Sequence, residues 1–217
     1  TVDITFLKKK YKTVADVQGN WKVTLPILKA GGPYTMAIND IELKDILIGD
    51  VWVCSGQSNM ELPVSRVTDR FRDEISTDSN YSMVRYIKTP LLYNFHAPQA
   101  DIPGISWQAM TPENVMPFSA LAYFFAKDVY QKTKVPVGII NSSVGGSPVE
   151  AWISEGGLKP FPFYLNEKRI YESDDLMESM KKEERKKSHA WNVALFQGDK
   201  GMHEATPWYA ADYDDSN

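Results

Sequence analysis

Val51-Trp52-Val53-Cys54-Ser55-Gly56-Gln57-Ser58-Asn59-Met60 decides how the chain is read. An apolar run, Ile46-Leu47-Ile48 and then Val51-Trp52-Val53, stops abruptly at small and polar residues, as a buried strand does where it meets a tight loop. A serine there is held on a rigid element at the strand's carboxyl end, the edge at which open α/β sheets bind their ligands. Ser58 is therefore the candidate nucleophile, with loop backbone N–H groups able to face a developing oxyanion. The plain alternative is a strand-to-loop turn in which Ser58 caps a helix.

Gly56-Gln57-Ser58-Asn59-Met60 resembles the first sequence block of the sialate O-acetylesterase branch of the SGNH hydrolases. Ile48-Gly49-Asp50-Val51-Trp52 leads into it, and Glu61-Leu62-Pro63-Val64 follows it, in that family's manner. A second segment, Val135 to Trp152, contains Asn141-Ser142-Ser143-Val144-Gly145-Gly146-Ser147 and resembles the family's second block. The two blocks stand in the family's order, about ninety residues apart.

The resemblance implies an incomplete doubly wound α/β sheet and a serine esterase that removes O-acetyl groups from carbohydrates, O-acetylated sialic acids first. Ser58 would attack the acetyl carbonyl. The Ser58 N–H and a glycine N–H from Gly145 or Gly146 would hold the oxyanion, with Gly145 preferred. Glu150 and Trp152, just after the glycine pair, are substrate-contact candidates. The plain reading of the glycine pair is a tight turn needing φ > 0. No cofactor or metal is implied, and the substrate class leaves acetylxylan-type esters open.

The family's catalytic histidine belongs to a downstream Asp-x-x-His motif. The three histidines here, His96, His189 and His203, have Tyr93, Lys186 and Lys200 three residues before them. A serine hydroxyl without an adjacent base is a weak nucleophile. The expectation is an incomplete enzyme whose partner is its own C-terminal part. The competing reading is a carbohydrate-binding or assembly protein that kept a hydrolase scaffold.

The 217 residues are 43% hydrophobic and 12% aromatic, fitting a globular chain with a sizeable core. A net charge of −4 gives no reason to expect nucleic-acid binding. The single Cys54 excludes an internal disulfide and reads as a buried, inert thiol. No apolar run approaches the roughly 18 residues that suggest a membrane span. By family resemblance the expected location is periplasmic or secreted.

Residues 1–45 read as part of a β-sandwich domain, with strands expected at Val2-Phe6, Lys10-Asp16, Trp21-Pro26, Tyr34-Ile38 and Ile41-Leu47. Residues 46–205 read as the N-terminal part of the hydrolase domain, and 206–217 as the start of an inserted β-domain. Met83-Ile87 and Pro136-Ile140 are strand candidates, the second buried on both faces of a parallel sheet. Ser119 to Thr133 reads as a mostly buried helix capped by Ser119, and 173–190 as a solvated helix capped by Ser173. Trp52, Trp107 and Trp152 are more simply core residues than sugar platforms.

Overall fold

The structure, a computed structural model, describes residues 1–76, 81–92, 94–102, 104–199, 201, 206 and 210. His203 and, but for Thr206 and Ala210, the expected inserted β-domain at 206–217 lie outside the described residues. The chain divides into two compact units, Thr1–Leu92 with Gln99–Pro148, and Tyr93–Pro98 with Val149–Asn217.

The first unit opens with strands β1 (Val2–Phe6), β2 (Lys9–Thr13), β3 (Gly31–Ile38) and β4 (Ile41–Ile48). They form one antiparallel sheet in the order β2-β1-β3-β4, a single leaf where a sandwich has two. Alternation along β1 puts Val2, Ile4 and Phe6 on the buried face, and the Phe6 ring meets Tyr34 edge-on at 6.1 Å. The expected strand at Trp21-Pro26 does not form. That stretch has the apolar–polar alternation but no neighbouring strand to take its backbone groups, and Ile27 and Val17 beside it are fully exposed. Asp16 instead closes a turn there, its Oδ1 accepting from the N–H groups of Gln18 and Asn20.

The second sheet of this unit begins with β5 (Asp50–Gly56), which passes into the one-turn helix α1 (Ser58–Glu61). Helix α2 (Arg72–Ser76), β6 (Tyr81–Lys88), β7 (Gln108–Met110), α3 (Ala120–Thr133) and β8 (Val137–Ser143) complete it. The order is β5-β8-β6-β7; β8 runs parallel to both β5 and β6, while β7 is an antiparallel edge. Val64, Val84, Met110, Tyr123, Val137 and Ile139 fill the core between this sheet and α3, each 1% exposed or less.

Two expectations change here. Strand β5 is an edge strand, with Val51 and Val53 59% and 69% exposed, because β8 covers it on one side only among the described residues. Helix α3 buries one face rather than most of its surface. Ala122, Tyr123 and Ala126 point inward, whereas Leu121 and Phe125 are exposed, with Phe125 resting edge-on against Trp52 at 5.2 Å. Trp52, Trp107 and Trp152 are all partly exposed rather than core. Ser119 caps α3 as expected, its Oγ accepting from the Ala122 N–H at 3.3 Å.

Tyr86 on β6 is buried and stacks on Phe118, with ring centroids 4.0 Å apart. Burial pushes its hydroxyl up to about 12, against a backbone hydrogen bond from Ser119 that pulls it down. A folded value above the unfolded one near 10 means the neutral phenol stabilises the fold. That contribution is complete below pH 10 and is lost as pH rises from about 10 to about 12. Urea midpoints at pH 9 and 11 should therefore fall further for the parent chain than for Tyr86→Phe. Parallel falls would disprove this assignment.

The second unit is helical: a 3-10 turn at Val149–Trp152, then α4 (Glu155–Leu158), α5 (Pro162–Tyr171) and α6 (Asp174–Gly198). Ser154 caps α4 and Ser173 caps α6, each Oγ accepting a backbone N–H three residues on. Acidic Asp174 and Asp175 occupy the first turn of α6, where they favour the helix dipole. The helix runs to Gly198, eight residues past the expected end, because Trp191-Asn192-Val193-Ala194-Leu195-Phe196 continues its helical turns. Among the described residues no helix is long and apolar enough to cross a membrane.

Candidate active site

Parallel pairing of β5 with β8 continues to Gly56↔Ser143, so both strands end at the same sheet edge. Beyond that register the two loops remain in contact, the Val144 N–H donating to the Gly56 carbonyl at 3.0 Å. Gly56 sits at φ +152°, a backbone that residues with a side chain rarely adopt, and this bend turns the chain out of the strand into α1. Gln57 occupies the cap position, with no hydrogen bond from its side chain to the helix, and Ser58 is the first helical residue. Ser58 is therefore not a helix cap. Its side chain is exposed and, among the described residues, makes no hydrogen bond.

Helix α1 is too short to stand alone, and its carbonyl groups are held from outside. Asn141, 1% exposed at the centre of β8, donates from Nδ2 to the Met60 carbonyl at 3.2 Å. Its Oδ1 accepts from Ser143 Oγ at 2.8 Å. The Leu62 carbonyl accepts from the Ala120 N–H at the start of α3, at 2.8 Å. The serine is thus fixed on two sides to the core of the first unit.

The glycine pair lies against this serine. A β-carbon on Gly145 would stand 3.4 Å from Ser58 Oγ and 2.6 Å from Glu61 Oε2, so a side chain there would displace the Glu61 carboxylate. The Gly145 N–H donates to Glu61 Oε2 at 2.6 Å. Gly146 has φ +75°, and a β-carbon there would meet open space, so glycine serves the turn at that position. Among the described residues the N–H groups of Ser58 and Gly146 have no acceptor. The preference for Gly145 as the oxyanion donor therefore meets a contrary fact: its N–H is already engaged.

Of the five sequence candidates, the structure brings Gly145 against Ser58, with Gly146 next to it in the same turn. Glu150 and Trp152 stand on the 3-10 turn of the second unit. The unit holding Ser58 contains no histidine. His96, in the second unit, places Nε2 3.1 Å from Asp174 Oδ1. A serine-hydrolase base turns Nε2 to the serine and gives Nδ1 to the carboxylate, so this pair has the opposite orientation. Cys54 is half-buried, and desolvation raises its thiol above the ordinary value, which keeps it protonated and unreactive. Sequence reasoning did not pick out Gln57, Glu61 or Asn141. Gln57 and Glu61 flank the serine in sequence, while Asn141 opens the polar run Asn141-Ser142-Ser143, just past the expected strand end at Ile140, and only the fold shows that it is buried.

Residues 48–215 match the carbohydrate esterase family described as sialic acid-specific acetylesterase. The chain belongs to this family. It is 33% identical over 168 residues to the sialate O-acetylesterase of Rattus norvegicus and 34% identical over 167 residues to that of Homo sapiens. Each alignment covers 70% of this chain, and 31% and 32% of those proteins. A solved carbohydrate acetylesterase from Xanthomonas citri superposes with a TM-score of 0.66 at 39% identity, over 71% of this chain and 36% of that one. The chain spans about a third of the length of the curated relatives it matches. The Ser58 loop and the glycine loop both fall within the residues matched by the family.

Proposed function

We propose that this chain carries the nucleophile and oxyanion-binding part of a serine esterase that removes O-acetyl groups from carbohydrates. The observation carrying this reading is the exposed Ser58 at a sheet edge, with Gly145 packed against it and the Ser58 and Gly146 N–H groups unbonded among the described residues. Ser58 Oγ attacks the acetyl carbonyl carbon, and a base takes the hydroxyl proton. The carbonyl oxygen becomes an oxyanion accepting from the Ser58 N–H and from Gly146 N–H, the one of the glycine pair not engaged by Glu61. Collapse of this intermediate expels the sugar hydroxyl, which receives the proton, and leaves an acetyl-serine. Water attacks that ester in turn, releasing acetate and restoring Ser58. The base is the histidine that the family resemblance assigns to a downstream Asp-x-x-His segment.

O-acetylated sialic acids are the first substrate class, supported by the family description and the curated relatives. A second class, other acetylated glycans such as acetylxylan, is supported by the higher 39% identity to the Xanthomonas citri carbohydrate acetylesterase. Glu150 and Trp152 remain candidates for sugar contact. Such chemistry on external glycans suits a periplasmic or secreted protein.

A fluorophosphonate reagent tests the nucleophile, because it phosphonylates an activated serine and stops there. In a C-terminally extended form carrying the Asp-x-x-His segment, peptide mapping should find one adduct, on Ser58. An adduct on another serine, or none while acetyl esters are turned over, disproves the assignment. Acetate release from 9-O-acetylated sialic acid compared with acetylxylan then decides the substrate class.

A further inference from the structure

We propose that Gln57 and Glu61 are positioning residues that clamp the glycine loop against Ser58, an inference that rests on the esterase reading of that serine. The two residues flank Ser58, Gln57 at the cap position and Glu61 at the last position of α1. Both reach the loop Val144–Ser147, with opposite polarity. Glu61 Oε2 accepts the Gly145 N–H at 2.6 Å, while Gln57 Nε2 donates to the Ser147 carbonyl. A backbone N–H bonded to a carboxylate is among the stronger hydrogen bonds.

The loop needs such tethers. Gly145 and Gly146 are exposed and have no side chains to bury, so packing does not hold them. Other bonds of this loop, Val144 N–H to the Gly56 carbonyl and Ser147 N–H and Oγ to the Val144 carbonyl, involve its two end residues. The Glu61 bond fixes its middle, immediately beside Gly146. The helical turn that presents the nucleophile thus also sets the loop supplying the second oxyanion donor, so the two cannot drift apart independently. Small displacements of such groups are expensive in rate.

Two measurements test the clamp. The first is amide hydrogen exchange in the 217-residue chain. Exchange over Val144–Ser147 should quicken about tenfold in Glu61→Ala, corresponding to loss of one hydrogen bond. Exchange in the β8 core should stay unchanged. The second is acetyl-ester hydrolysis by the C-terminally extended form. Glu61→Ala should lower kcat by roughly 30–100-fold, somewhat less than outright loss of an oxyanion donor, with KM within about twofold. Gln57→Ala should act in the same direction. Glu61→Gln should recover most of kcat, because its amide oxygen still accepts an N–H.

Unchanged loop exchange in Glu61→Ala overturns the clamp, as does a folded Glu61→Ala with parental kcat. A Glu61→Gln as inactive as Glu61→Ala also overturns it, since a charge rather than a tether would then matter. If the extended parent hydrolyses no acetyl ester, or Ser58→Ala retains the activity, the esterase reading itself fails and the clamp falls with it.

Discussion

Ser58→Ala is expected to lower kcat for acetyl-ester hydrolysis by on the order of 10⁶ in the C-terminally extended form, leaving only what the oxyanion donors and substrate binding supply. Removing Oγ removes the acetyl-serine, so the reaction falls back on direct attack by water. The substitution should be silent in stability. The side chain is exposed, caps nothing and makes no hydrogen bond among the described residues, so unfolding should shift by no more than about 0.5 kcal/mol. That contrast gives the experiment its force, since an activity loss with an unchanged Tm cannot be ascribed to misfolding. Hydrolysis of p-nitrophenyl acetate and a thermal melt on both proteins suffice. A Ser58→Ala protein keeping a tenth of the parental kcat would remove Ser58 from the mechanism. The 217-residue chain should show little activity with or without Ser58, because none of its three histidines stands in the Asp-x-x-His context that the family resemblance assigns to the base.

What could be read from the sequence was what is locally encoded. The apolar run ending at Gly56-Gln57-Ser58, the short apolar β8 and the capping hydroxyls of Ser119 and Ser173 each announce an element within a few residues. Ser58 and the glycine pair were legible for the same reason, as contiguous motifs at strand ends. What could not be read depends on partners far away in sequence. Trp21-Pro26 alternates like a strand, yet strand formation requires a neighbour to pair with, and none of the described residues provides one. Val51 and Val53 have the composition of a central strand, but position in a sheet is a property of the order β5-β8-β6-β7 and not of either residue.

The site shows the same division. The Gly145 N–H was the preferred oxyanion donor, and only the fold reveals that Glu61, 84 residues earlier, already accepts from it. A bond from a side chain to a distant backbone group leaves no periodicity or spacing to detect. The pentapeptide Gly56-Gln57-Ser58-Asn59-Met60 thus encodes more than the proposed nucleophile. Its Gln57, with Glu61 just beyond it, reaches across to the second motif, so the two blocks act as one structural unit.

Asn141→Leu is expected to show the largest loss of stability among these variants, because it breaks the connection between β8 and the helix that carries the serine. Leucine keeps the branched heavy-atom skeleton but carries bulkier methyl groups, so the loss of the polar contacts is joined by some overpacking at this 1% exposed position. The Met60 carbonyl loses its donor from Asn141 Nδ2, and Ser143 Oγ loses its acceptor. Ser143 is itself buried, at 7% exposure, so water does not readily replace the lost partner. An unsatisfied buried polar group costs about 1–3 kcal/mol, and because the Asn141–Met60 bond is only partly buried the two losses together come to about 3 kcal/mol. For a chain of this length that is a fall in Tm of roughly 10 °C. Activity should fall as well, since Met60 lies two residues from Ser58 and α1 has few other anchors. A decrease of about tenfold in kcat fits a nucleophile held less firmly in place. Urea unfolding of the two proteins measures the first effect directly. A difference below about 1 kcal/mol would mean that the Ala120–Leu62 backbone bond and the contacts of Gln57 and Glu61 hold α1 without Asn141.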